Sequence, residues 1–324
     1  MYIVTGAAGF IGSALVWELN QMGITDILCV DRYRNGSKWK NLRKLKFTDF
    51  IMTDNFFDLL EDPAVQAQVE GIFHMGACSS TTEKDMDFLV DNNYYFSQAC
   101  FHWCLAHGKK FVYASSAATY GEGENGFSDN TDSNDLVPLN PYGYSKVLFD
   151  RWVEMQPEKP PVCTGLKFFN VFGPNEYHKE AMTSVAFKAV HQIRDTGKLK
   201  LFRSHREDYK DGEQLRDFVY VKDITRWMTE IMNKDELQGL FNFGFGKARS
   251  WVDLGSAVFK AMGKKVDIEW IDIPEDIRDQ YQYFTEADIN KLKASGLSEP
   301  QWPLEKAVED YVVNYLLESD SYLS

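Results

Sequence analysis

The stretch whose reading decides the fold is Tyr2 to Gly12, "YIVTGAAGFIG". "YIVTG" is a short apolar, β-rich run ending in Gly6. Gly9 and Gly12 follow in a tight turn, and "SALVWELNQMG" continues as a helical pattern closed by Gly23. Strand, turn and helix in that order predict a dinucleotide turn. Small residues there let the backbone approach a pyrophosphate at the positive end of a helix. A glycine triplet alone is weak, because many turns are glycine-rich. Context strengthens it: the next apolar run, "DILCVD", ends in Asp31, about where an acidic residue would meet a ribose hydroxyl.

Working outward, Asp31 is followed at once by Arg32, and Lys38 lies in "RNGSKWK". An aspartate alone favours NAD, by accepting from the 2′-hydroxyl and repelling a 2′-phosphate. An adjacent arginine can stack on adenine and pair with that phosphate. The bland reading is a solvated basic loop. The balance leans to NADP, with NAD as the alternative.

"GIFHMGA" (71–77), "KFVYASS" (110–116) and "VCTGLKFFNVFG" (162–173) are further runs of parallel-strand type, and the segment around 85–107 reads as a helix. That alternation predicts an α/β fold, a doubly wound parallel (Rossmann) sheet, with ligand lying off the carboxyl strand ends. Beyond Gly173 the pattern turns irregular. "RDFVYVKDITRWMTEIM" reads as strand and helix and "GLFNFGFG" as another strand. Helices are expected over 251–262 and near 304–317, and the charged stretch 203–216 reads as a loop. The expected division is a nucleotide-binding part, 1–170 plus about 216–246. A smaller mixed α/β substrate part, 171–215 plus 247–324, completes it.

The candidate chemistry lies in "NPYGYSK", Asn140 to Lys146. If this segment opens a helix, Tyr142 and Lys146 share a face while Tyr144 points elsewhere. A phenol has an ordinary pKa near ~10 and is a poor base at neutral pH; a fixed ammonium beside it favours the phenolate. Lowering it by about three units requires on the order of 4 kcal/mol. Ser115 and Ser116 end one predicted strand and Asn170 ends another, so the candidates converge on one sheet edge.

The formal charge of −13 argues against nucleic acid as the main partner. No stretch approaches the ~18 apolar residues of a membrane span, and the N-terminus lacks a basic leader pattern. Five irregularly spaced cysteines suit a reducing cytoplasm rather than a disulfide framework. In "CFHWC", Cys100 and Cys104 share a helix face while His102 points away, so no metal is expected.

"TGAAGFIG", the strand-end serine, "YGYSK" and "FNVFGP" together resemble the extended short-chain dehydrogenase/reductase superfamily. There a tyrosine is the acid/base, a lysine holds the nicotinamide ribose and tunes the phenol, and a serine hydrogen-bonds the substrate oxygen. The resemblance makes these Tyr142, Lys146 and Ser116. A nearly end-to-end and more specific similarity, carried by "HMGACSSTT", "YASSAATYG", "NVFGPNEYHK", "SVAF" and "YFTEAD", is to the ADP-L-glycero-D-manno-heptose 6-epimerases. It implies inversion of one carbon of ADP-heptose, an inner-core lipopolysaccharide precursor, by transient oxidation with bound NADP. A second acid/base is implied at Lys179. Cofactor contacts are implied at Gly6, Gly9, Phe10, Ile11, Gly12, Asp31, Arg32, Lys38, Met75, Gly76, Ala77, Cys78, Ser79, Asn92, Lys146, Val171 and Lys179. Substrate contacts are implied at Ser116, Asn170, Ala181, Lys188, Phe202, Arg203, Ser204, His205, Arg216 and Tyr281, and the assembly at a homo-oligomer, a pentamer by that family's pattern. The chain departs from the family pattern at Ala181 and Lys188, where serine and histidine are expected, and at Thr53, where lysine is.

Two rivals stand beside this reading. Another nucleotide-sugar 4-epimerase would share the scaffold, whereas a 4,6-dehydratase is disfavoured by Ala117 and Ala118 where carboxylates would be needed. A non-catalytic dinucleotide sensor would keep the glycine turn, but such proteins often lose the tyrosine or lysine that this chain retains.

Overall fold

The structure, a computed structural model, describes residues 1–34, 36–278 and 281–324. Seven strands form one sheet: β1 (Tyr2–Thr5), β2 (Ile27–Asp31), β3 (Asp49–Met52), β4 (Gly71–His74), β5 (Lys110–Ser116), β6 (Val162–Phe168) and β7 (Leu237–Phe243). Their order is β7-β6-β5-β4-β1-β2-β3, and every pairing is parallel. This is the doubly wound sheet expected from the glycine turn. The strand order reverses between β1 and β4, which places the ligand crevice at their carboxyl ends. Strand β3 was not announced by its residues: "DFIM" is four residues long and sits at the sheet edge, only partly buried.

Both faces of the sheet are covered, so its central strands are apolar throughout rather than alternating. One face packs Leu15, Val16 and Leu19 of α1 (Phe10–Gln21) and Ile224, Trp227 and Met228 from the helix Val221–Met232. The other packs Phe101 and Cys104 of α2 (Phe96–Ala106) and Phe149 and Val153 of α3 (Pro141–Glu154). Each such large apolar side chain contributes about 1.5–3 kcal/mol on full burial. The helix expected over 85–107 is continuous but not uniform: Met86–Leu89 and α2 are joined by a π-helical turn, Val90–Tyr95.

A second core joins the helices Val185–Thr196, Trp251–Ala261 and Leu304–Tyr311 through Val190, Leu254, Val258 and Val308. Two short parallel strands, Leu199–Phe202 and Ile268–Ile271, complete it. The stretch 203–216 is irregular until Leu215–Arg216 pairs with Arg249–Ser250. Among the described residues no helix is long and apolar enough to cross a membrane. Cys100 and Cys104 are buried in the core, and His102 faces outward.

Candidate active site

The glycine turn is sterically required. A Cβ at Gly12 would lie 2.1 Å from the Gly6 carbonyl oxygen, and one at Gly6, whose φ is +65°, would lie 2.7 Å from the Gly76 backbone. Helix α1 starts after Gly9 with no side-chain cap and no acidic residue in its first turn. Its first N–H groups therefore remain available to an anion.

A cleft of about 390 Å³ opens above this turn. Its walls include Gly6, Gly9, Phe10, Ile11, Gly12, Asp31, Lys38, Met75, Gly76, Ala77 and Ser79, and also Ser116, Tyr142, Lys146, Val171 and Lys179. The structure thus brings the two halves of the expected site into one cavity. Ala114, Phe168, Phe169 and His178 join them without having been singled out in the sequence, and Ser115 joins from the strand end where the sequence placed it. A larger cavity of about 690 Å³ lies near Phe245 and Asp288 and holds none of the expected catalytic groups. Size does not locate the chemistry here.

Three expected cofactor contacts, Arg32, Cys78 and Asn92, do not line the cleft. Arg32 turns aside to Thr53 and Asp54. Asn92 donates to Asn93, and Asn93 in turn clamps the backbone N–H and C=O of Cys78 at 2.8 and 3.0 Å. Asp31 is already engaged: it accepts from the Ala8 N–H at 2.8 Å and from the Lys38 ammonium at 2.5 Å.

Helix α3 positions the candidate pair, Tyr142 and Lys146. Asn140 caps it by accepting from the Gly143 N–H at 2.8 Å, and Pro141 occupies the first turn. Tyr142 and Lys146 face the cleft from successive turns, while Tyr144 is 43% exposed on the other side. Lys146 donates to the Ala114 carbonyl at 3.1 Å. Burial pushes its pKa down to about 8, against the opposing pull of Asp150. The expected lowering of Tyr142 is not achieved by the protein's residues alone. Burial pushes the phenol up, and the Ser116 hydroxyl only partly offsets it.

Lys179 arrives from a different segment, the turn Tyr177–Met182, with its ammonium 5.4 Å from the centre of the Phe10 ring. Burial lowers its pKa, and Glu176 opposes that. Glu176 braces the turn by accepting from the Ser184 N–H and hydroxyl at 2.5 and 2.6 Å and from the Tyr311 hydroxyl at 2.9 Å. The next residue, Glu180, is held at φ +50°, a strained conformation for a side-chain-bearing residue.

Apart from Ser116, the expected substrate residues lie outside the lining of this cleft. Arg216 donates to the Leu215 and Gln282 carbonyls and lies over the rings of Tyr281 and Trp251 at 5.3 and 5.8 Å. Phe202 meets Tyr281 edge-on at 5.9 Å. His205 is held by Tyr283 at 2.9 Å, Ser204 by Asp211 at 2.8 Å, and Arg203 faces Asp272 at 3.5 Å. A flanking cavity of about 440 Å³ is lined by His205, Tyr281 and Arg206, an arginine the sequence reading passed over. Asn170 stands exposed at the start of a short strand, Asn170–Phe172. The Lys188 ammonium donates to the Ala181 carbonyl at 2.5 Å, so the two unusual residues touch each other.

A family profile, the NAD dependent epimerase/dehydratase family, matches residues 2–244. The chain belongs to this family. Over its full length it is 49% identical to an ADP-L-glycero-D-manno-heptose-6-epimerase of Nitratidesulfovibrio vulgaris and 48% identical to one of Fusobacterium nucleatum, each covered completely. The solved structure of the Helicobacter pylori ADP-L-glycero-D-manno-heptose-6-epimerase superposes with a TM-score of 0.79 at 27% identity, covering 97% of this chain and 95% of that one. A nicotinamide dinucleotide is the cofactor that membership of this epimerase/dehydratase family brings. The residues present fit it: the glycine cradle closed by Gly76, the open α1 N-terminus and the charged pair Asp31–Lys38 lie in the order of pyrophosphate and adenosine ribose.

Proposed function

We propose that this chain interconverts ADP-D-glycero- and ADP-L-glycero-D-manno-heptose by inverting the sixth carbon of the sugar, with NADP held in the cleft. The observation that carries the reading is the convergence of Ser116, Tyr142, Lys146 and Lys179 on one cavity in a chain so similar to named heptose 6-epimerases over its whole length.

Bound there, an oxidised nicotinamide supplies a hydride acceptor and a positive charge beside the phenol. Tyr142 takes the hydroxyl proton in one sugar orientation and returns it in the reverse step. Ser116 orients the reacting oxygen, and Lys146 fixes the ribose while its charge favours the phenolate that burial disfavours. Lys179 reaches the cavity from another wall, so a transient ketone presenting its other face meets a second proton carrier. Arg216, with Phe202 and Tyr281, offers a guanidinium and aromatic faces to the nucleotide diphosphate. In this reading residues 1–170 and about 216–246 hold the dinucleotide, and 171–215 with 247–324 hold the sugar nucleotide.

The preference for NADP rests on Lys38. By pairing with Asp31 it neutralises the carboxylate that would repel a 2′-phosphate. The test is direct: the protein is incubated with ADP-heptose and, separately, with UDP-galactose, and isomers are resolved by NMR. The nucleotide released on denaturation is then identified. Inversion of UDP-galactose alone would replace this reading with a 4-epimerase, and release of NAD alone would overturn the cofactor preference.

A further inference from the structure

Beneath the catalytic pair lies a charged cluster that the proposed reaction does not use directly. Asp150 follows Lys146 by one turn on α3 and is fully buried. Ser115 and Lys167 are register partners on β5 and β6, so their side chains rise on the same face of the sheet, toward α3. Ser115 donates to Asp150 Oδ2 at 2.6 Å, and Lys167 Nζ stands 4.0 Å from the same oxygen and 4.4 Å from the centre of the Tyr120 ring. Lys167 Nζ and the other carboxylate oxygen, Asp150 Oδ1, are buried without a hydrogen-bond partner among the described residues. A buried ion pair this loosely joined is a poor stabilising device. Its position points to a different use.

We propose that Asp150 is a positioning residue: the counter-ion that keeps Lys146 charged in a dry site, with Ser115 and Lys167 holding the carboxylate ionised and in place. This rests on the reading of Tyr142 and Lys146 as the reacting pair. The groups facing Lys146 are Asp150 on its own helix, His74 on β4 and Cys78 in the loop after it. His74 is neutral, which leaves Asp150, one helical turn along and buried like Lys146, as the carboxylate whose charge acts on the ammonium. Asp150 itself is faced by Lys146, by Tyr113 and Ser115 from β5 and by Lys167 from β6. Lys167 is also favoured as a cation by Glu154 and Asp129, against the repulsion of Lys291, so its charge does not depend on Asp150 alone.

Turnover against pH, measured on the cofactor-loaded protein, distinguishes this role from a structural one. In Asp150→Asn the alkaline limb, where Lys146 loses its proton, moves to lower pH by roughly one unit. That variant also loses stability, because Lys167 is left buried beside a neutral amide. The double variant Asp150→Asn/Lys167→Met recovers stability while its alkaline limb stays displaced. A second readout needs no turnover: the Lys146 ε-carbon NMR signal, assigned by its loss in Lys146→Arg, titrates at lower pH in both variants. An unmoved titration in Asp150→Asn, or a return to the wild-type position in the double variant, overturns the proposal. Absence of turnover in the wild type with a displaced titration would instead sink the epimerase reading and leave the counter-ion role standing.

Discussion

Tyr142 is a buried phenol, and burial by itself makes it a weaker acid and a less available base. A base at this position therefore needs a positive charge brought beside it, which the one-turn spacing of Tyr142 and Lys146 on α3 allows. In Tyr142→Phe the ring still packs, so the protein should retain its nucleotide and its melting temperature while turnover falls about 10²–10⁴-fold. Near wild-type turnover in that variant would remove Tyr142 as the acid/base. His74 shows the opposite design. Thr5 Oγ1 accepts from the Gly76 N–H at 3.1 Å and so can give its proton to His74 Nδ1 at 2.7 Å, while Nε2 meets Ser97 at 2.8 Å. The ring is thereby held neutral, and burial pushes its pKa down to about 3. The unfolded chain takes up this proton first, so stability is lost progressively as pH falls from about 6.5 towards 3. Urea midpoints measured across that window should fall less steeply in His74→Gln than in the wild type. Equal slopes would show that His74 is not responsible. The pairing of Tyr142 with Lys146 was legible from spacing. The neutrality of His74 was not, because both its partners come from elements far away in sequence.

The elements with the clearest local signals were those whose geometry leaves no choice. Between Gly6 and Gly12 the chain leaves a strand and enters a helix within a few residues, with carbonyl and Cα almost touching. Gly12→Ala places a methyl 2.1 Å from a backbone oxygen, so the turn has to open. The expected outcome is a loss of bound dinucleotide on purification together with a lower melting temperature. A variant that keeps its full complement of cofactor would show that the close approach is not needed. Helix α3 was legible at both levels, since cap, proline and the face carrying Tyr142 and Lys146 all lie within "NPYGYSK". The edge strand β3 and the π-helical turn Val90–Tyr95 were not. Strand β3 takes its conformation from pairing with β2, and the extra residue in the turn is accommodated by packing around Asn93.

Across the whole molecule, the segment carrying Lys179 is tied to both cores and to the last residues of the chain. Tyr177 donates to the Ser321 carbonyl at 2.6 Å, and the Leu323 N–H donates to Asn175 at 3.1 Å. Leu323 is buried against Phe10, Ala14 and Val221, beneath the ring over which the Lys179 ammonium lies. Leu323→Ala should cost about 2–5 kcal/mol, read as a lower urea midpoint, and should loosen the cofactor through Phe10. Unchanged stability would show that the tail merely rests on the surface. By itself the sequence determined the alternation of strands and helices, the glycine turn and the one-turn spacing of Tyr142 and Lys146. These follow from local sterics and from the two periods of backbone structure, which act over a few residues. Only the tertiary structure decided that Lys179 enters the same cavity, that Lys38 neutralises Asp31, that Arg32 turns to Asp54, and that Lys167 lies under α3. Each of those depends on which distant side chains share a low-dielectric space, and nothing in local spacing encodes that.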